Sequence, residues 1–171
     1  MTICEYHDDL KKVKVVYLGD GNNVSTSLAS VCAATGAHIV VCTPPELASP
    51  DWAVREAEEL AAGSGGVAEY TTDPSAAVRG ADFLYTDVWF SMGQQKNPLK
   101  SRQLEPYRID EALLAQAKPD CRVMHCLPAH RGEEISATVL DGPRSIVYQQ
   151  AENRLHAQKE LMKRLMGDAQ A

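Results

Sequence analysis

Apolar residues along this chain gather into short runs separated by segments with helical spacing. Residues 13–18 form a β-rich run that ends at Gly19, and residues 39–42 form a second, stopped by Thr43-Pro44-Pro45. Residues 67–71 read as a third strand, weaker and nearer an edge, residues 83–86 as a fourth and residues 121–124 as a fifth. A small further strand is expected at residues 145–148. Between these runs, Asn22 and Asn23 precede Val24, Leu28 and Val31, which share one helical face and end at Gly36. Pro50 and Asp51 open a helix through Leu60, with Val54, Ala57 and Ala61 inward. Asp73-Pro74 is an N-cap followed by proline at the first helical position, and Asp110 caps another helix. A short helix is expected near Ser136 to Leu140, and a final one from about Gln150 to Met166 with Leu155, Met162 and Met166 along one face. The stretch from Phe90 to about Pro106 follows neither period, and a connection that long points to function. Strands alternating with helices every dozen or so residues predict an α/β fold: one domain with a doubly wound parallel sheet.

Composition narrows the classes. The 171 residues suffice for a real core, and 44% hydrophobic with 23% charged content matches a globular chain. A net charge of -6 and a pI near 5.3 argue against nucleic acid as a partner. No apolar run approaches the roughly 20 residues of a membrane span. The acidic start, Met1 to Asp9, lacks a signal-peptide pattern. Five cysteines with no CxxC pair fit reduced thiols rather than a zinc site or a disulfide framework, so a cytoplasmic protein without a metal is expected.

Three predicted strand ends carry polar clusters: Gly19-Asp20-Gly21-Asn22-Asn23, then Asp87 with Trp89 and Ser91-Met92-Gly93, then His125-Cys126-Leu127-Pro128. In an open parallel sheet, ligands bind in the crevice at such ends. A dinucleotide reading of the first cluster is weak, because Val24 stands where the fingerprint needs its third glycine, and no cofactor is expected. One asparagine suits a helix N-cap, which leaves the other free for a ligand carboxylate. Asp87 taken alone is as well explained by capping nearby amides. With Ser91 and a flexible Met92 it suits a small zwitterion, the carboxylate for an ammonium and the amide and hydroxyl for a carboxylate. Cys126 can act in proton transfer or hydrogen bonding, but adjacent strand residues point to opposite faces, so His125 and Cys126 are not a nucleophile–base couple. Trp89 is expected in the core.

With Glu152-Asn153-Arg154 added, these motifs in this order resemble the ornithine carbamoyltransferases from about Val13 to the last helix. The resemblance implies a Rossmann-like domain that works in transferring a carbamoyl group from carbamoyl phosphate to the side-chain amine of L-ornithine. By position, Asn23, Asp87, Ser91 and Met92 would hold ornithine. Cys126, Leu127 and Arg154 would border carbamoyl phosphate, and His125 would help polarise its carbonyl. Asp87 and Cys126 would orient the amine and take up its proton. Arg154 would supply fixed positive charge.

The family's first half carries a Ser-Thr-Arg-Thr loop and a His-Pro-x-Gln segment, and neither string occurs here. The chain is therefore expected to be the second, ornithine-binding half. Residues 1–12 are read as a lead-in, 13–150 as the α/β domain and 151–171 as a helix that packs on the first half. Full-length relatives are implied to be homotrimers. Two rivals stand beside this reading: a carbamoyltransferase for another amine such as putrescine, and a non-catalytic amino-acid-binding or regulatory module.

Overall fold

The computed structural model describes residues 1–91 and 93–167. Strands β1 (Lys14–Leu18), β2 (His38–Cys42), β3 (Val67–Thr71), β4 (Phe83–Thr86) and β5 (Arg122–His125) form an all-parallel sheet in the order β3-β2-β1-β4-β5. The helices are α1 (Asn23–Ala34), α2 (Asp51–Ser64), α3 (Pro74–Ala77), α4 (Pro98–Leu104), α5 (Glu111–Leu114), α6 (Ala137–Leu140) and α7 (Val147–Met166).

The period of two along each strand sorts the core into two layers. Val15, Tyr17, Ile39, Val41, Phe83 and Tyr85 pack beneath α1 and α2, against Ala29, Cys32, Ala33, Ala57 and Ala61. Val16, Leu18, Val40, Leu84 and Val123 face the other layer, with Val78, Leu113, Leu114, Ile135 and Leu140. Both faces are covered, which is why the central strands read as continuous apolar runs. β3 pairs only with β2 and is less buried, as an edge strand should be.

Several local expectations shift. The buried side of α1 is Ser25, Ala29, Cys32 and Ala33, while Val31 is 62% exposed, because only small residues fit close to the sheet. On α2 the inward set is Ala53, Ala57 and Ala61, with Val54 half-buried. Residues 145–148 are not a strand: Ser145 makes a single bridge to Val123, and α7 has begun by Val147, whose side chain is buried. The segment after Phe90 is not wholly irregular. Asn97 caps α4 by accepting from the Leu99 N–H, with Pro98 in its first turn. The lead-in docks on α7, where Asn153 Nδ2 donates to Thr2 Oγ1 at 3.0 Å and to Glu5 Oε1 at 2.6 Å.

Strand order reverses between β1 and β4, so the loops leaving these neighbours diverge and open a crevice. The β1–α1 turn reaches that crevice by lying against the loop after β2. Gly21 N–H donates to Leu47 O at 2.8 Å, and a Cβ on Gly21 would meet the backbone of Leu47, Ala48 and Ser49 at 2.5 Å.

Gly21→Ala is therefore expected to lower stability by about 3 kcal/mol through overpacking against backbone, read as a lower urea midpoint. Burial also pushes the Cys32, Cys42 and Cys121 thiols up to about 12, from an ordinary value of 9.0. Between those values the folded chain holds protons that the unfolded chain has released. Stability is thus fully present below about pH 9 and falls as pH rises toward 12, which urea melts at about pH 8 and pH 10 would show.

Candidate active site

Asn22 ends the β1 loop and starts α1. Its Oδ1 accepts from the Val24 and Ser25 N–H groups at 2.9 and 3.1 Å, satisfying the helix N-terminus. Its Nδ2 donates to Asp87 Oδ2 at 2.9 Å, across the crevice from β1 to β4. Asn22 is thus the capping asparagine, and it also grips the carboxylate. Asn23 is exposed and faces the cavity. Thr86 Oγ1 donates to Leu18 O at 2.7 Å, tying the ends of β1 and β4 and fixing the origin of Asp87.

Asp87 is only 7% exposed, and its Oδ1 accepts from the Cys126 thiol at 2.9 Å. Burial, and then the neighbouring Asp87 carboxylate, push the thiol up to about 12. Cys126 is accordingly a neutral hydrogen-bond donor near pH 7. Its hydrogen bond holds the thiol proton toward the carboxylate.

His125 points to the opposite face of β5 and is 1% exposed. Its Nδ1 accepts from the Leu127 N–H at 2.8 Å, which puts the ring proton on Nε2, 3.1 Å from Glu134 Oε1. Both nitrogens are thus engaged inside the chain. His125 holds the turn that follows. Leu127 has φ 57, a left-handed conformation unfavourable for leucine, and the Leu127–Pro128 peptide is cis. Glu134 Oε1 also accepts from the His130 N–H at 2.5 Å, so the loop after Pro128 folds around one buried carboxylate.

Asn23, Asp87, Ser91, Lys96, Leu127, His130 and Glu133 line a cavity of about 590 Å³. Lys96 pairs with Glu133 at its rim. Lys100 Nζ donates to Asp20 Oδ2 at 2.5 Å and lies 5.5 Å over the Phe90 ring, pinning the segment after β4 to the β1 turn. Trp89 is buried, as expected, with Arg108 over its ring. His130, Glu133 and Glu134 bring donor atoms within 4.8 Å of one another, but Lys96 already neutralises Glu133, and His125 and His130 occupy Glu134 Oε1.

Of the expected site residues, Asn23, Asp87, Ser91 and Leu127 meet on this cavity, with Cys126 hydrogen-bonded behind Asp87. Met92 lies outside the described residues. Arg154 is not brought together with them: it is exposed and borders a separate apolar groove with Leu28 and Val31. Sequence reading missed Lys96 and Glu134. A glutamate in an irregular loop carries no local sign of burial, so only the fold pairs it with His125.

Residues 11–165 match the family model described as "Aspartate/ornithine carbamoyltransferase, Asp/Orn binding domain". Among curated relatives, the ornithine carbamoyltransferase of Oceanobacillus iheyensis is 49% identical over 98% of this chain and 52% of its own length. The anabolic ornithine carbamoyltransferase of Pyrococcus furiosus is likewise 49% identical, over 98% of this chain and 53% of its own length. The solved structure of ornithine carbamoyltransferase from Pyrococcus furiosus superposes with a TM-score of 0.91 at 48% identity, covering 95% of this chain and 52% of that one. The chain spans about half the length of the curated relatives it matches.

Glu134→Ala would leave the buried His125 Nε2–H and the His130 N–H without their acceptor. Unfolding free energy is expected to drop by about 3–5 kcal/mol, measured by urea denaturation, whereas Glu133→Ala at the exposed rim should cost less than about 1 kcal/mol.

Proposed function

We propose that this chain, which belongs to the aspartate/ornithine carbamoyltransferase family through its Asp/Orn-binding domain, is the ornithine-holding half of an enzyme that carbamoylates the side-chain amine of L-ornithine. Carbamoyl phosphate is the donor, and citrulline and phosphate are the products. The observation that carries the reading is the buried Asp87 carboxylate, held by Asn22 and Cys126 and opening onto a cavity with Asn23 and Ser91.

An alkylamine has a pKa of about 10.4, so the attacking amine must give up a proton before it can act. Asp87 is the group suited to attract the ammonium, align it and accept a proton. Cys126, kept neutral, directs that carboxylate and presents a thiol surface at the reacting centre. Asn23 and Ser91 are placed to bind the α-carboxylate of an amino acid, with Met92 assigned to the same subsite by position. Putrescine has no carboxylate for Asn23 and Ser91 to hold, which favours ornithine. Leu127 and Cys126 border the carbamoyl group, and His125 serves them as a positioning residue. Arg154 serves carbamoyl phosphate only if a further segment of the protein closes over α7.

Lys96 is already paired with Glu133, so this cavity offers a phosphate little unopposed positive charge. Most phosphate contacts then belong to a polypeptide corresponding to the relatives' other half, on which α7 would pack. We place the assembled enzyme in the cytoplasm as a homotrimer built largely through that other half. The five free cysteines and the net negative charge suit that setting.

Mixing the chain with a separately expressed first half should restore citrulline formation, with neither part active alone. Asp87→Asn should lower kcat/KM of the mixture by about a thousandfold. Citrulline from the chain alone would sink the half-site reading. Restored turnover with putrescine instead of ornithine would move the substrate assignment, and a mixture inert toward every amine would favour a non-catalytic module.

A further inference from the structure

β5 is an outer strand, so one row of its backbone groups has no strand beside it. Val123 uses the 144–146 segment: its N–H donates to Arg144 O and its carbonyl accepts from the Ile146 N–H, both at 2.9 Å. Where a sixth strand would continue, the chain has already turned into α7. The next donor in that row is the His125 N–H, and Gln150 Oε1 takes it at 3.0 Å. The side chain thus stands in for an absent strand carbonyl. Its Nε2 meanwhile donates at 2.9 Å to the Tyr85 hydroxyl near the end of β4. Tyr85 and Cys126 line one small cavity with Leu28 and Val31. One amide therefore grips both flanks of the Cys126 sulfur: the backbone of the preceding residue and the ring beside it.

We propose that Gln150 is a positioning residue for the Cys126 thiol, through which the seating of α7 on the sheet reaches the reacting centre. Its functional consequence rests on the carbamoyltransferase reading; the structural coupling does not. Gln150 sits in the first turn of α7, and Leu155, Leu161, Met162, Leu165 and Met166 further along that helix are exposed. A partner packing on those side chains would shift the Gln150 backbone, and the shift would be passed to His125 and Tyr85. The Tyr85 hydroxyl, which shares a cavity with Cys126, also favours the thiolate, against burial and Asp87.

Two variants separate the two ends of the amide. Gln150→Leu removes both contacts. The His125 amide should then exchange with solvent at least about tenfold faster by NMR, while the Val123 amide is unchanged. Iodoacetamide should modify Cys126 about threefold faster relative to the exposed Cys4, as read by peptide mass spectrometry. Gln150→Glu keeps an acceptor for His125 but turns the Tyr85 O–H toward its own carboxylate. His125 exchange should stay near wild type, and Cys126 modification should slow by about threefold. Continued protection of Cys32, Cys42 and Cys121 reports that each variant is folded. Unchanged His125 exchange in the leucine variant, or a Cys126 to Cys4 ratio unmoved in both, overturns the proposal. Neither readout needs turnover, so failure of the mixing assay would count against the enzyme reading and leave this one standing.

Discussion

A carboxylate held below the surface between β1 and β4 organises much of this domain's chemistry. Asp87 is nearly buried, and a buried charge needs partners. It finds an amide at the start of α1 and a thiol at the end of β5, so three separate strand ends are tied together through two oxygens. Each partner is itself fixed: Asn22 by capping α1, Cys126 by the turn that His125 holds. Loosening Asp87 would therefore loosen the crevice.

The two faces of β5 divide the labour. Cys126 is turned toward the crevice, while His125 is turned into the opposite layer, where Glu134 receives it. That pair holds Leu127 in its left-handed conformation and brings its backbone to the cavity. Gln150 adds a third restraint from α7. The cavity wall is thus held by hydrogen bonds made behind it, which is how a site on loop ends acquires rigidity.

The cavity's charges are unevenly opposed. It has a carboxylate and neutral donors, while its lysine is already opposed by an acid. A match to about half the length of the relatives agrees with that imbalance. The exposed apolar stripe on α7 has the same character, since such a surface is ordinarily covered by protein.

The parallel α/β order, the five sheet strands, the caps at Asp73 and Asp110, a cap at one of the two asparagines and the polar strand ends were legible in the sequence. They depend on short-range rules of period, capping and turn chemistry. Asn23, Asp87 and Ser91 could be singled out because they follow strands whose ends converge, whereas Leu127 was assigned only through the family resemblance. Tertiary structure alone decided which face of α1 is buried, that Ser145 contributes only a bridge, and that α4 interrupts the long polar segment. It also decided the roles of His125 and Cys126. Glu134 and Gln150 reach His125 from 9 and 25 residues away in sequence. The thiol's proton is set by burial and a carboxylate from another strand. Local pattern fixes which elements form, because neighbours in sequence dictate them; protonation and hydrogen-bond partners depend on what the fold brings close.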